Sequence, residues 1–217
     1  MTKKLKLGIM LSGRGTNFQA LIDACKNPDF PAEISLVVSN QMSAEGLTRA
    51  REANIPCIAI PHIEFSNREL FENEISAKLK DAKVELVCLA GFMRILTTEF
   101  VKEWHNKIIN IHPSLLPAFR GLDTHQRVLS EGVKISGCTV HYVRAEVDTG
   151  PIIVQAAVPV LPTDNEETLS ERILFAEHKC YPLAVKLIAS GDVVIEGNVV
   201  TFSGKYNCPD NLMNPTN

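Results

Sequence analysis

The chain lacks several features that would place a protein quickly. It carries no excess of positive charge: 22 Lys and Arg stand against 25 Asp and Glu, a formal net charge of -3. That balance argues against a general binder of nucleic acid or anionic membrane. Its longest apolar runs, such as residues 86–90, are far too short to span a bilayer. The start, Met1-Thr-Lys-Lys-Leu-Lys6, runs straight into a strand-like segment with no signal-peptide apolar region. Six cysteines (Cys25, Cys57, Cys88, Cys138, Cys180, Cys208) lie far apart and never as Cys-x-x-Cys. Most sit in apolar runs, where a reduced cysteine behaves as a small hydrophobe, so disulfide and zinc readings are poor. Nor do His62, His105, His125, His141 and His178 show the spacing of a metal site, and no metal is assigned. No internal repeat, low-complexity tract or Pro/Gly linker divides the 217 residues. The expectation is one reduced, cytoplasmic α/β domain spanning 1–217.

What is present is a rhythm. Mostly continuous apolar runs at 5–11, 34–39, 57–60, 86–90 and 108–111 read as strands covered on both faces. Amphipathic stretches lie between them, with Phe18, Leu21, Ile22 and Cys25 on one helical stripe and Phe71, Ile75 and Leu79 on another. This alternation predicts a doubly wound, mostly parallel, Rossmann-like sheet with right-handed crossovers. After Pro117 the pattern changes. Runs at 137–143 and 152–160 flank the turn-prone Asp148-Thr-Gly-Pro151 and predict antiparallel strands added to the sheet. Thr163-Asp-Asn-Glu166 reads as a capping box opening a long helix, with Leu169, Ile173, Ala176, Cys180 and Leu187 inward and Pro182 kinking or interrupting it. Runs at 193–195 and 199–202 flank Glu196-Gly-Asn198 and predict a terminal hairpin, followed by a polar, loose tail after Gly204.

Three segments carry chemistry. In the run Ile108-Ile-Asn-Ile-His-Pro-Ser-Leu-Leu-Pro117, strand alternation puts Asn110 and His112 on one face and Ile109 and Ile111 on the other. Pro113 ends the strand, leaving an amide and an imidazole side by side at its carboxyl end. Ser12-Gly-Arg-Gly-Thr-Asn17 joins the first strand to the first helix. Its glycines let backbone approach a ligand, and free N–H groups at a helix start attract an anion such as a single phosphate. It is not a dinucleotide fingerprint, because Phe18 replaces the third glycine, and it lacks the lysine of a P-loop. Gly91-Phe-Met-Arg-Ile-Leu96 follows the fourth strand, and Arg94 gives it a flat fork able to grip an acidic ligand. Ligands of open α/β sheets bind beyond the carboxyl ends of the strands, so the three segments converge on one rim. Asp148 begins the connection between the late strands, beside a strand whose Thr139, His141 and Val143 share a face.

These segments, in this order, resemble the phosphoribosylglycinamide formyltransferase family over nearly the whole chain, up to about Phe202. The Asn-x-His-Pro-Ser-Leu-Leu-Pro run is similar to that of folate-dependent formyl transferases broadly, whereas the Ser-Gly-x-Gly-Thr-Asn loop narrows the match. The resemblance implies transfer of a formyl group from 10-formyltetrahydrofolate to the amine of 5-phosphoribosylglycinamide, in purine biosynthesis, with no metal. It implies Asn110, His112 and Asp148 as the catalytic set, with His112 handling the proton. Gly15, Thr16, Asn17 and Glu177 would hold the ribonucleotide. Arg68, Met93, Arg94, Ile95, Leu96, Asn110, Arg144, Ala145, Glu146, Val147 and Asp148 would line the folate pocket. Leu174 stands where some relatives carry a polar contact, and Asp123 departs from a histidine-rich version of its motif; neither receives a role, and His125 is only supporting.

The partners expected are these two small molecules, with no nucleic acid and no membrane, and a monomer or homodimer. Rival readings stay in view. A formyltetrahydrofolate deformylase would use water as acceptor. A methionyl-tRNA formyltransferase would need a tRNA-binding extension and a basic surface. A nucleotide-dependent oxidoreductase would want an acidic residue closing the second strand, where Ser39-Asn40 stands.

Overall fold

The computed structural model describes residues 3–203; the tail after Gly204, with Cys208, lies outside them. The strands are β1 (Leu5–Leu11), β2 (Ala32–Ser39), β3 (Cys57–Ala59), β4 (Leu86–Leu89), β5 (Ile108–His112), β6 (Ile135–Tyr142) and β7 (Ile152–Pro159). They form one sheet in the order β3-β2-β1-β4-β5-β6-β7. Pairing is parallel from β3 through β5 and antiparallel from β5 to β7. β8 (Val193–Glu196) and β9 (Val199–Phe202) pair separately as an antiparallel hairpin.

Burial on both faces explains why the parallel strands are mostly apolar. Leu7, Ile9 and Leu11 of β1 face one core, shared with α1 (Thr16–Cys25), α2 (Glu45–Glu52), α5 (Thr124–Ser130) and α6 (Glu166–Ala189). Met10 faces the other, shared with α3 (Arg68–Asp81) and α4 (Thr98–Glu103). A strand buried on both sides has no polar face to alternate with. Fully buried side chains such as Phe18 and Phe71 each contribute roughly 1.5–3 kcal/mol of transfer free energy. Gly8 is what lets α3 lie close, since a Cβ there would stand 2.6 Å from Leu79 Cδ2.

Several expectations need correction. Helices α2, α4 and α5 have six to eight residues each, and segments that short show too little periodicity for a pattern reading to find. The capping box of α6 sits two residues later than expected. The Asn165 side chain accepts from Thr168 N at 2.9 Å, and Thr168 Oγ1 accepts from Asn165 N at 3.1 Å. Asp164, just before the cap, is held bidentately by Arg172 and also accepts from Leu161 N at 2.8 Å. Pro182 does not interrupt α6, which runs unbroken to Ala189. Burial of Tyr181, Ala184 and Val185 around it outweighs the one ladder bond a proline removes. Beyond Pro182 the inward stripe runs through Ala184, Val185 and Ile188, leaving Leu187 half-buried.

Candidate active site

The carboxyl ends of β1, β4 and β5 and the β6–β7 connection meet at one end of the sheet. Asn110 and His112 leave β5 on the face opposite Ile109 and Ile111, which sit in the α6-side core. Antiparallel pairing then sets His141 directly opposite Asn110, and Thr139 opposite His112. Four polar side chains thus share a face at the junction of the parallel and antiparallel halves.

His112 is buried, and both ring nitrogens face acceptors. Nδ1 lies 3.3 Å from Asp148 Oδ2, and Nε2 lies 2.9 Å from the Phe119 carbonyl. Neither a carboxylate nor a peptide carbonyl donates hydrogen, so the ring is fully paired only when both nitrogens carry one. The Asp148 carboxylate also accepts from Gly121 N at 2.8 Å. A loop from the end of β5 therefore clasps the pair from the other side. Asp148 itself adopts φ 50° and Phe119 φ 54°. Left-handed backbone is tolerable for aspartate but costly for a bulky side chain. Gly150 makes the turn after Asp148 possible: at φ 115°, a Cβ there would lie 2.1 Å from the Tyr142 carbonyl.

A second group forms where α1 begins. Gly15 caps the helix in the left-handed region, and no side chain among the described residues caps the first-turn N–H groups, which leaves donors for an anion. Gly15 serves packing as well, because a Cβ there would come within 3.0 Å of Gly46 Cα on α2. Asn17 Nδ2 donates to Glu177 Oε2 at 2.7 Å, while Asn17 Oδ1 is buried with no partner among the described residues. Burial pushes the Glu177 carboxyl up to about 7, against the opposing effect of the Asn17 hydrogen bond. One helical turn on, the fully buried Tyr181 hydroxyl donates to the carbonyls of Leu89 (2.9 Å) and Ile109 (3.3 Å). It pins α6 to the end of β4 and the first part of β5, and so fixes Glu177 relative to Asn110.

Between the two groups runs the segment after β4. Ser12 Oγ donates to Asn40 Oδ1 at 2.6 Å and accepts from Met93 N at 2.8 Å, tying three strand ends together. A polar cleft of about 630 Å³ opens there, with Arg14, Asn40, Ser43, His62, Met93 and Arg94 in its wall. Neither Arg14 nor Arg94 has a side-chain partner among the described residues. Met93 and Ile95 are exposed at 70% and 60%, whereas Leu96 is buried.

The remaining predicted positions are less concentrated. Arg68 is exposed at the start of α3, outside the cleft wall. The Arg144 guanidinium is taken up by Asn106 Oδ1 at 2.8 Å and the Val143 carbonyl at 3.0 Å. Ala145, Glu146 and Val147 form the exposed crest of the loop before Asp148. Leu174 is half-buried on α6, and Asp123 precedes α5 at φ 54° without capping it. Pattern reading missed the clasp by Phe119 and Gly121, the Tyr181 anchor, and the Ser12–Asn40 link. Backbone groups carry no sequence signal, and a tyrosine on an apolar stripe reads as core.

The formyl transferase family model matches residues 5–185. The phosphoribosylglycinamide formyltransferase of Haemophilus influenzae is 42% identical over 92% of this chain and 94% of its own length. The chain belongs to the phosphoribosylglycinamide formyltransferase family. Among solved structures, the glycinamide ribonucleotide transformylase 1 of Symbiobacterium toebii superposes with a TM-score of 0.90 at 45% identity, covering 92% of this chain and 94% of that one. The trifunctional purine biosynthetic protein adenosine-3 of Gallus gallus is 52% identical over 89% of this chain. The chain spans only 19% of the length of that relative.

Proposed function

We propose that the chain transfers the formyl group of 10-formyltetrahydrofolate to the amine of 5-phosphoribosylglycinamide, giving formylated ribonucleotide and tetrahydrofolate. The observation that carries this reading is the His112–Asp148 contact, placed beside Asn110 on the rim that also holds the α1 anion cradle. The uncapped N–H groups of Gly15–Asn17 suit the substrate phosphate. The Asn17–Glu177 pair, with its unmet Asn17 Oδ1, suits a polyol or amine donor close by. The exposed apolar pair Met93 and Ile95, next to Arg94, suits a flat ring system ending in carboxylates. Arg68, Leu96 and the 144–148 loop complete this folate side of the assignment.

The chemistry follows from charge. The amine nitrogen attacks the formyl carbon, a C–N bond forms, and negative charge collects on the formyl oxygen. Asn110 donates a hydrogen bond to that oxygen, stabilising charge that exists only in the intermediate. His112, ion-paired to Asp148, exchanges its Nε2 contact with the Phe119 carbonyl for one to the substrate. The charged ring gives its proton to the departing folate nitrogen as the second C–N bond breaks, and takes the proton of the attacking amine in its place. No bond to the enzyme forms at any point.

The test is formyl transfer measured with and without the ribonucleotide. Formylated ribonucleotide appearing only when both substrates are present supports the proposal. Formate released at the same rate without ribonucleotide would assign the site to water as acceptor and overturn it.

A further inference from the structure

His141 has no part in the reaction as described, yet it occupies the centre of the site. Its side chain is 1% exposed, in the middle of the paired β5–β6 segment. Nδ1 lies 3.0 Å from the Tyr142 carbonyl and 3.2 Å from the Thr149 carbonyl. Carbonyls only accept, so Nδ1 carries the hydrogen. Burial lowers the affinity of this ring for a second proton, although the nearby Asp148 charge and the two carbonyls favour it. A neutral ring with hydrogen on Nδ1 leaves a lone pair on Nε2. That lone pair faces Asn110 Nδ2 at 3.4 Å. Were the Asn110 amide turned the other way, its oxygen lone pairs would oppose the ring nitrogen.

We infer that His141 is a positioning residue that sets the Asn110 amide in one orientation, holding its nitrogen end against β6 and leaving one N–H to meet the formyl oxygen. The inference rests on the proposed role of Asn110. The same ring grips the Thr149 carbonyl, next to Asp148, so the amide and the carboxylate-bearing loop share one buried anchor. Preorganisation of this kind is worth having where a donor must already point at charge that develops late. A free amide would spend part of its time presenting oxygen to oxygen.

Two substitutions separate the two ends of the ring. His141→Gln puts an amide oxygen near the place of Nε2 and keeps the acceptor for Asn110. His141→Asn keeps a donor near the place of Nδ1 and loses that acceptor. The expected result is a roughly tenfold fall in kcat for His141→Asn, with KM for both substrates within about twofold, and recovery of most of that loss by His141→Gln. In an Asn110→Ala background, His141→Asn should cost nothing further, because its effect passes through the missing amide. Should His141→Asn melt below the assay temperature, His141→Gln still decides, since it must retain turnover.

Three results would overturn the inference: loss in His141→Gln equal to or greater than that in His141→Asn, full turnover in His141→Asn, or an undiminished penalty in the Asn110→Ala background. Full turnover in Asn110→Ala alone would instead sink the role of Asn110, and with it this inference.

Discussion

The two ends of the site are built on opposite plans. At the end of β5 the groups of the site are paired: His112 between Asp148 and the Phe119 carbonyl, Asp148 also with Gly121, and Asn110 with His141. Around β1 and β4 several groups stand open among the described residues: uncapped N–H donors on α1, an unmet Asn17 oxygen, and Arg14 and Arg94 facing a cleft. Groups that must act on charge appearing only during reaction gain from being fixed beforehand. Groups that recognise a ligand gain from having their hydrogen bonds unmet until it arrives, because a satisfied donor must first be released. The contrast predicts that damage on the closed side falls on kcat and damage on the open side on KM.

His112→Ala should break the closed side most, lowering turnover by about 10² or more while both KM values stay within a few-fold. Steady-state kinetics with each substrate varied in turn checks this. An unchanged kcat would remove His112 from the chemistry.

Glu177→Gln addresses the boundary between the two sides through stability. The folded carboxyl is raised to about 7, whereas an unfolded one titrates near 4.5. Between these values the unfolded chain ionises first, so the wild-type protein loses stability as pH rises through that window. The glutamine variant keeps an acceptor for Asn17 and lacks this loss. Its advantage over wild type should grow from near zero at low pH to on the order of 2–3 kcal/mol above pH 8. Urea midpoints across the range measure it, and parallel curves for the two proteins would contradict the burial argument.

Asp148→Asn removes the charge beside His112 yet retains an oxygen for Gly121 N. A fall of roughly 10- to 100-fold in kcat is expected, with little change in thermal midpoint. A collapse of the melting temperature would show that the carboxylate serves the loop rather than the imidazole.

Asn17→Ala should raise the ribonucleotide KM about tenfold and leave the folate KM nearly unchanged. Arg94→Ala should show the reverse, a few-fold rise in folate KM that shrinks further with added salt. If Asn17→Ala moved only the folate KM, the two pockets would have to be exchanged.

Much of the framework was legible in residues alone. The runs beginning at Leu5, Cys57, Leu86 and Ile108 all became strands, and the two late runs became the antiparallel addition. A strand covered on both faces announces itself as a mostly apolar run, and this chain has five of them. Helices α2, α4 and α5 went unread because too few turns repeat. At the site, Asn110 and His112 stood out because two polar groups of one parity interrupt an apolar strand. His141 carried the same signal on β6, but nothing local tells a partner of Asn110 from a satisfied core histidine.

By itself the sequence determined the layered α/β architecture, the alternation that turns Asn110 and His112 to one face, and the glycine-bearing turn at 148–151. These rest on local geometry: side-chain parity, the backbone reach of glycine, and proline ending a strand. Only the tertiary structure decided that Asp148 comes to His112, that backbone at Phe119 and Gly121 clasps the pair, and that Glu177 is buried against Asn17. Most of those contacts join segments tens of residues apart, some through peptide groups common to every residue, and the packing of one sheet between two helical layers is what brings them together.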